Sequence, residues 1–137
     1  MMEMGHGDEI VLADGNFPAA ANAHRLLRYD GHNIPPLLQA MIPLFPLDYA
    51  VERPAAVMSL LPADPAPPVW GTYLELIRFV KPDFIDFELV ERFAFYERAR
   101  RAYAIIATSD VSFKGNLILK KGSRPRIIKM DRGELRL

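Results

Sequence analysis

Hydrophobic positions along this chain switch between strand-like and helix-like spacing, and the switches mark out its elements. Residues Glu9–Ala13 form a short apolar run with charge before it and Asp14-Gly15-Asn16 after it, the pattern of a buried strand. Phe17-Pro18 and the alanine-rich stretch to Ala23 read as a loop feeding an extended piece at 25–29. Asp30-Gly31-His32-Asn33 reads as a turn whose Asn33 can cap a helix. Pro35 and Pro36 suit that helix's first turn, where a missing N–H costs little. Leu37, Leu38, Met41, Ile42 and Phe45 then recur at helical spacing until Pro43 and Pro46 end the run.

Residues 55–61 are a continuous apolar run of strand length, followed by a Pro-rich loop over 62–68. Trp70, Tyr73, Leu74, Ile77 and Val80 recur at three and four, which predicts a helix over 69–80. Residues 84–90 alternate as a strand does, and Arg92–Arg101 reads as a helix of mixed charge. Two more strands, at 102–107 and 117–119, flank a polar turn at 108–116. Strands alternating with helices imply an α/β layer architecture.

Composition narrows the picture by exclusion. At 137 residues the chain is one domain, long enough to bury a core without staples. Lys plus Arg equals Asp plus Glu, so the net charge is zero, which argues against capture of nucleic acid. There is no cysteine, hence no disulfide framework or thiolate chemistry. The start lacks the basic and apolar segments of a signal peptide, and no apolar run approaches the ~20 residues that span a bilayer. The expectation is a cytoplasmic globular protein with no membrane partner. Residues 123–137, with Arg124, Arg126, Lys129, Arg132 and Arg136, read as a basic tail or docking strand.

The candidate chemistry is concentrated near the start. His6 lies between Gly5 and Gly7, and Asp14 closes the first strand, where a rigid scaffold hands over to a loop. An imidazole and a carboxylate in one wall point to proton transfer on a polar substrate. Each residue also has a plainer reading. His6 can be a surface histidine, and Asp14 an Asx turn bonded to its own backbone. Arg92 and Tyr96, four apart, can be a surface cation beside a half-buried phenol, with Glu97 pairing Arg101. Trp70 can stack on a ligand, but its spacing favours the core. Gly115-Asn116 alone is an ordinary turn signal. His6, His24 and His32 are too dispersed for a metal site.

Several blocks in order carry a resemblance: MGHGDEIVLADGNFPA at 4–19, LRYDG at 27–31, IPLFPLD at 42–48, PPVWGTY at 67–73, RFAFYERA at 92–99 and GNLILKKG at 115–122. Together they resemble the D-ribose pyranase and L-fucose mutarotase family, and the RFAFYER block its fucose branch. The resemblance implies a single three-layer α/β domain over 1–122, with a central mixed β-sheet flanked by helices. It implies a homo-oligomer, a decameric ring with the sugar site near subunit contacts, and a monosaccharide as the only other partner. It also implies no metal and no organic cofactor. Its activity would be isomerisation of a fucose-like aldose between α and β anomers. Pyranose–furanose exchange on ribose-like sugars, or sugar binding without turnover, are the alternatives.

Carried over residue by residue, the catalytic histidine falls on His6 and the proton-donating tyrosine on Tyr96. The sugar-binding positions fall on Asp14, Asp48, Arg92 and Lys114-Gly115-Asn116. Two departures stand out. The helix that precedes the first block in the family is missing ahead of Met1-Met2-Glu3, which is expected to expose apolar surface. Lys114 stands where the family has Tyr, exchanging a ring that can lie on a sugar face for a flexible charge.

Mutarotation suits these residue types. The anomeric O–H must lose a proton while the ring oxygen gains one, so an acid and a base are needed on opposite sides of the C1–O5 unit. Histidine, with an unperturbed pKa of about 6.5, can fill either role, and a tyrosine hydroxyl the other.

Overall fold

A computed structural model describes residues 4–122; the basic segment 123–137 lies outside them. The first strand, β1 (Glu9–Ala13), is flanked by β5 (Ala104–Thr108) and β6 (Leu117–Lys120). Outward from β5 lies β2 (Leu26–Tyr29), and outward from β6 lie β3 (Ala55–Met58) and then β4 (Glu88–Val90). The sheet order is β2-β5-β1-β6-β3-β4. Strand β6 runs against both β1 and β3, while β1, β5 and β2 are parallel to one another and β3 is parallel to β4. The sheet is therefore mixed, and β6, near the middle, is the one reversed strand among the described residues.

Among the described residues four helices cover it: α1 (Ala19–Asn22), α2 (Ile34–Met41), α3 (Pro68–Val80) and α4 (Arg92–Arg101). A 3-10 turn, Ile42–Leu44, continues α2. Alternation along β1 sorts them into layers, since successive side chains point to opposite faces. Ile10 and Leu12 pack with Ile34, Leu38, Tyr73 and Ile77 of α2 and α3. Val11 and Ala13 pack with Ala19, Phe95 and Ala99 of α1 and α4. Both faces of the central strands are buried, so β1 and β6 read as unbroken apolar runs. The result is the three-layer α/β domain expected.

Four details differ from the sequence expectation. Residues 19–22 form one turn of helix rather than a loop; alanine favours the turn, and the Asn22 side chain donates to the Pro18 carbonyl. The predicted strand 55–61 stops at Met58, because the chain turns away and leaves Leu61 exposed. The predicted strand 84–90 shrinks to β4, because the Arg78 guanidinium takes the Phe84 and Ile85 carbonyls that a ladder would have used. Asn33 occupies the N-cap of α2 without bonding it; the buried Asp110 carboxylate accepts the Ile34 N–H instead, at 2.8 Å.

Candidate active site

Because β6 is antiparallel to β1, the ladder Glu9↔Lys120 to Leu12↔Leu117 has two distinct ends. One collects the last residues of β1 and β5 and the approach to β6. The other collects the approach to β1 and the end of β6. At about 3.3 Å per strand residue, β1 alone holds them roughly 16 Å apart.

Four of the five buried polar or charged residues among those described lie at the first end: Asp14, Thr108, Asp110 and Asn116. Buried polar groups carry more information than exposed ones, and here each has partners. The Asp14 N–H donates to Asn116 Oδ1 at 2.8 Å. The Asp14 carboxylate accepts the Asn16 N–H at 2.9 Å and the Gly115 N–H at 3.3 Å. Asp14 thus makes the Asx turn of the plainer reading and also ties two loops together. Thr108 donates to the Ala13 carbonyl at 2.8 Å, and Asp110 accepts the Ser112 N–H at 2.8 Å besides capping α2. From α3, the Tyr73 hydroxyl donates to the Gly115 carbonyl at 2.6 Å.

Electrostatics at this end oppose ionisation. Burial pushes the Asp14 carboxyl above its usual range, with the like charge of Asp110 adding, against the lowering pull of three backbone N–H groups. Burial also raises the Tyr73 hydroxyl far above the ordinary tyrosine value, so it stays a donor.

A cleft of about 280 Å³ opens over this floor, lined by Asp14, Asn116, Arg92, Tyr96, Phe17, Met58, Phe113 and Lys114. Helix α4 delivers Arg92 and Tyr96 on one face, one turn apart. Glu91 starts that helix, its carboxylate accepting the Phe93 and Ala94 N–H groups at 3.0 and 3.1 Å. Tyr96 is edge-packed on Phe17, with ring centres 5.5 Å apart. The cleft combines a buried carboxylate, an amide, a guanidinium and a phenol with apolar walls, the inventory that binds a small polyol.

His6 and Asp48 lie at the other end. The Gly7 N–H donates to the Lys121 carbonyl at 2.7 Å, and Gly7 has φ +88, a turn that glycine makes without strain. His6 Nε2 is 3.6 Å from Asp48 Oδ1; the imidazole is 47% exposed and the carboxylate 4%. Asp48 is fixed from behind: its Oδ1 accepts the Ala50 N–H, and its own N–H donates to the Lys120 carbonyl. A Cβ on Gly122 would sit 2.6 Å from Asp48 Cα, so glycine is what lets the chain cross there.

The structure therefore brings together six of the expected site residues, Asp14, Arg92, Tyr96, Lys114, Gly115 and Asn116, and leaves His6 and Asp48 away from them. Sequence reasoning did not single out Tyr73, Asp110, Thr108, Phe113 or Asp64. The partners of Tyr73, Asp110, Thr108 and Asp64 lie tens of residues away, so no local motif announces them. Trp70 packs against the core and donates to the Lys114 carbonyl at 3.1 Å. No group of three or more His, Cys, Asp or Glu placed to hold a metal ion occurs among the described residues. None of their helices is long and apolar enough to cross a membrane.

Comparison with known proteins places this geometry in context. The model of the RbsD / FucU transport protein family matches residues 1–124. A fucose mutarotase of Danio rerio is 46% identical over 132 residues, covering 91% of this chain and 85% of its own. One of Homo sapiens is 47% identical over 130 residues, covering 89% and 83%. The crystal structure of a Streptococcus pneumoniae fucose mutarotase in complex with L-fucose superposes with a TM-score of 0.82 at 45% identity, over 90% of this chain and 89% of that one. Bacillus subtilis RbsD complexed with D-ribose, at 16% identity and TM-score 0.67, shares the fold.

Proposed function

We propose that this chain, which belongs to the RbsD / FucU family, is a cytoplasmic sugar mutarotase interconverting the α and β anomers of L-fucose or a similarly configured aldose. One observation carries the reading: 45% identity and a common fold, over nine-tenths of the chain, with a mutarotase that was solved holding L-fucose.

In this reading Asp14 accepts hydrogen bonds from sugar hydroxyls, and Arg92 donates to them. Asn116 has committed its Oδ1 to the Asp14 N–H, so its Nδ2 is the half that donates to the sugar. Gly115 fixes the Asp14 carboxylate from behind through its N–H. Two proton transfers make up the reaction. The anomeric O–H gives its proton to a base as the ring oxygen takes one from an acid, and the C1–O5 bond breaks. The aldehyde turns about C1–C2, and the reverse transfers close the ring on either face. Nothing is oxidised or reduced. Tyr96 and His6 are the proton-transfer pair, each suited to hold or release a proton at its hydroxyl or imidazole nitrogen.

Since β1 separates His6 from Tyr96 within one chain, the pair is completed between copies in a ring-shaped homo-oligomer, a decamer. The His6–Asp48 end of one copy meets the Asp14 end of its neighbour. Three features support this arrangement. His6 is half exposed on a buried carboxylate that orients it outward. Phe93 and Phe113, at 65% and 49% exposure, leave apolar surface beside Tyr96 and Asn116. Tyr49, at 60%, does the same beside Asp48.

Saturation-transfer NMR of L-fucose tests the reading, with ribose and galactose as comparison sugars. Wild type accelerates anomer exchange, while His6→Ala and Tyr96→Phe do not. Mixed oligomers refolded from the two inactive variants regain part of the rate, because some sites then pair an intact His6 with an intact Tyr96. No acceleration of any sugar by folded wild type overturns the mutarotase assignment. Inactive mixed oligomers overturn the site shared between copies.

A further inference from the structure

The cleft has two walls that come from different parts of the chain. The loop between β5 and β6 lines it with Phe113, Lys114 and Asn116, and β3 lines it with its last residue, Met58, from which Ser59 and the Pro-rich loop continue. Lys114 joins them. Its Nζ donates to the Ser59 carbonyl at 2.9 Å and to Asp64 Oδ2 at 3.0 Å, and its side chain is only 14% exposed. The same Asp64 oxygen accepts the Leu61 N–H at 2.8 Å, and the Asp64 N–H donates back to the Leu61 carbonyl at 2.9 Å. The ammonium therefore closes a compact turn over 61–64 onto the opposite wall.

The backbone confirms that this arrangement is enforced. Lys114 has φ +48 and is the only non-glycine residue in the left-handed region among those described. A lysine has no intrinsic reason to occupy that region. It is held there by Trp70 on its own carbonyl and Tyr73 on that of Gly115. A backbone outlier held in place by two side chains directs attention to what that residue does.

We propose that Lys114 is a positioning residue that latches the Ser59 and 61–64 segment to the sugar-bearing loop, setting the width of the cleft and hence sugar affinity. Its charge is spent on Ser59 and Asp64 rather than offered to the sugar. The proposal rests on the mutarotase reading for its consequence in catalysis, and on geometry alone for the latch.

The test uses Lys114→Asn, which tolerates the left-handed backbone but cannot reach Asp64, together with Asp64→Asn, the double variant and Lys114→Arg. Either single loss raises KM for L-fucose about tenfold and leaves kcat within about twofold. The double variant is no worse than either single one, and Lys114→Arg, which keeps a cation of similar reach, restores most of the affinity. Amide hydrogen exchange at Leu61 is read alongside and speeds up in both single variants. A fall in kcat at unchanged KM, or full additivity of the two substitutions, overturns the latch. So does unchanged exchange at Leu61, a readout that stands even where wild type accelerates no sugar and the mutarotase reading fails. Should Lys114→Asn not fold, Asp64→Asn alone decides by the same two measurements.

Discussion

The two ends of the β1–β6 ladder carry chemistry in opposite ways. At the Asp14 end, polar side chains are buried, multiply bonded and held by loops far apart in sequence. At the His6 end, a half-exposed imidazole stands on a glycine turn beside the buried carboxylate of Asp48. The first is a rigid floor in which binding and folding are inseparable. The second presents a functional group outward with little stake in the fold. Activity and stability should therefore respond together at one end and separately at the other.

Substitution at His6 gives the largest expected change in rate and the smallest in stability. His6→Ala lowers anomer exchange by about 10²–10⁴-fold, the usual contribution of a placed acid–base group. Within a single copy, where the imidazole is half exposed, it alters unfolding free energy by less than about 0.5 kcal/mol. Saturation-transfer NMR and urea unfolding measure the two; a large stability loss would erase the contrast between the ends.

Asp14→Ala breaks the other end in both respects. It leaves the Asn16 and Gly115 N–H groups without their acceptor, at a cost of about 1–3 kcal/mol. In the proposed reading it also removes an acceptor for sugar hydroxyls, so exchange falls by about a hundredfold or more. Isothermal calorimetry with L-fucose shows whether binding goes with it.

Tyr73→Phe is a milder probe of the same floor. It deletes the hydrogen bond to the Gly115 carbonyl while keeping the ring in the core. The expected loss is about 1 kcal/mol of stability and a several-fold rise in KM with kcat retained. An unchanged KM would detach α3 from the site.

The smallest effect is one of pH. Burial raises the folded-state pKa of Asp14, so the folded protein binds that proton more readily than the unfolded chain; protonating it does not cost stability. Asp64 is lowered, first by the Leu61 N–H and then by Lys114. The stability it contributes is present above the ordinary carboxylate value and lost as pH falls through its own lower one. On acidification, exchange activity therefore falls before the fold loosens. A pH–rate profile beside a pH-dependent melt checks the order, and Asp14→Asn removes the acid limb attributed to Asp14.

Much of this architecture was legible in the chain, and the reason differs from element to element. Arg92–Arg101 and Glu9–Ala13 match their sequence spans because their signals are local. The breadth of β3 and β4 was not legible. Residues 84–87 alternate like a strand, yet Arg78 of the preceding helix takes the Phe84 and Ile85 carbonyls and Arg53 takes that of Phe87. At the site, Asp14, Arg92, Tyr96 and Asn116 were found from motifs and do line one cleft. Asp110 and Tyr73 were not, since what gives them meaning is a partner 76 or 42 residues away. Lys114 was marked as a sugar-binding position and as a departure from the family's tyrosine; its bond to Asp64 spans 50 residues and leaves no trace in spacing.

By itself, then, the sequence determined the elements, the α/β class and the kinds of side chain available for proton transfer, because periodicity and capping act over one or two turns of chain. Only the tertiary structure decided which of those side chains meet. The reversed direction of β6 puts Asn116 beside Asp14 and Lys120 beside Glu9, and so sends His6 and Asp48 to one end and the cleft to the other. Strand direction and pairing are settled by burying both faces of the central strands at once, a condition on the whole core that no local stretch of sequence expresses.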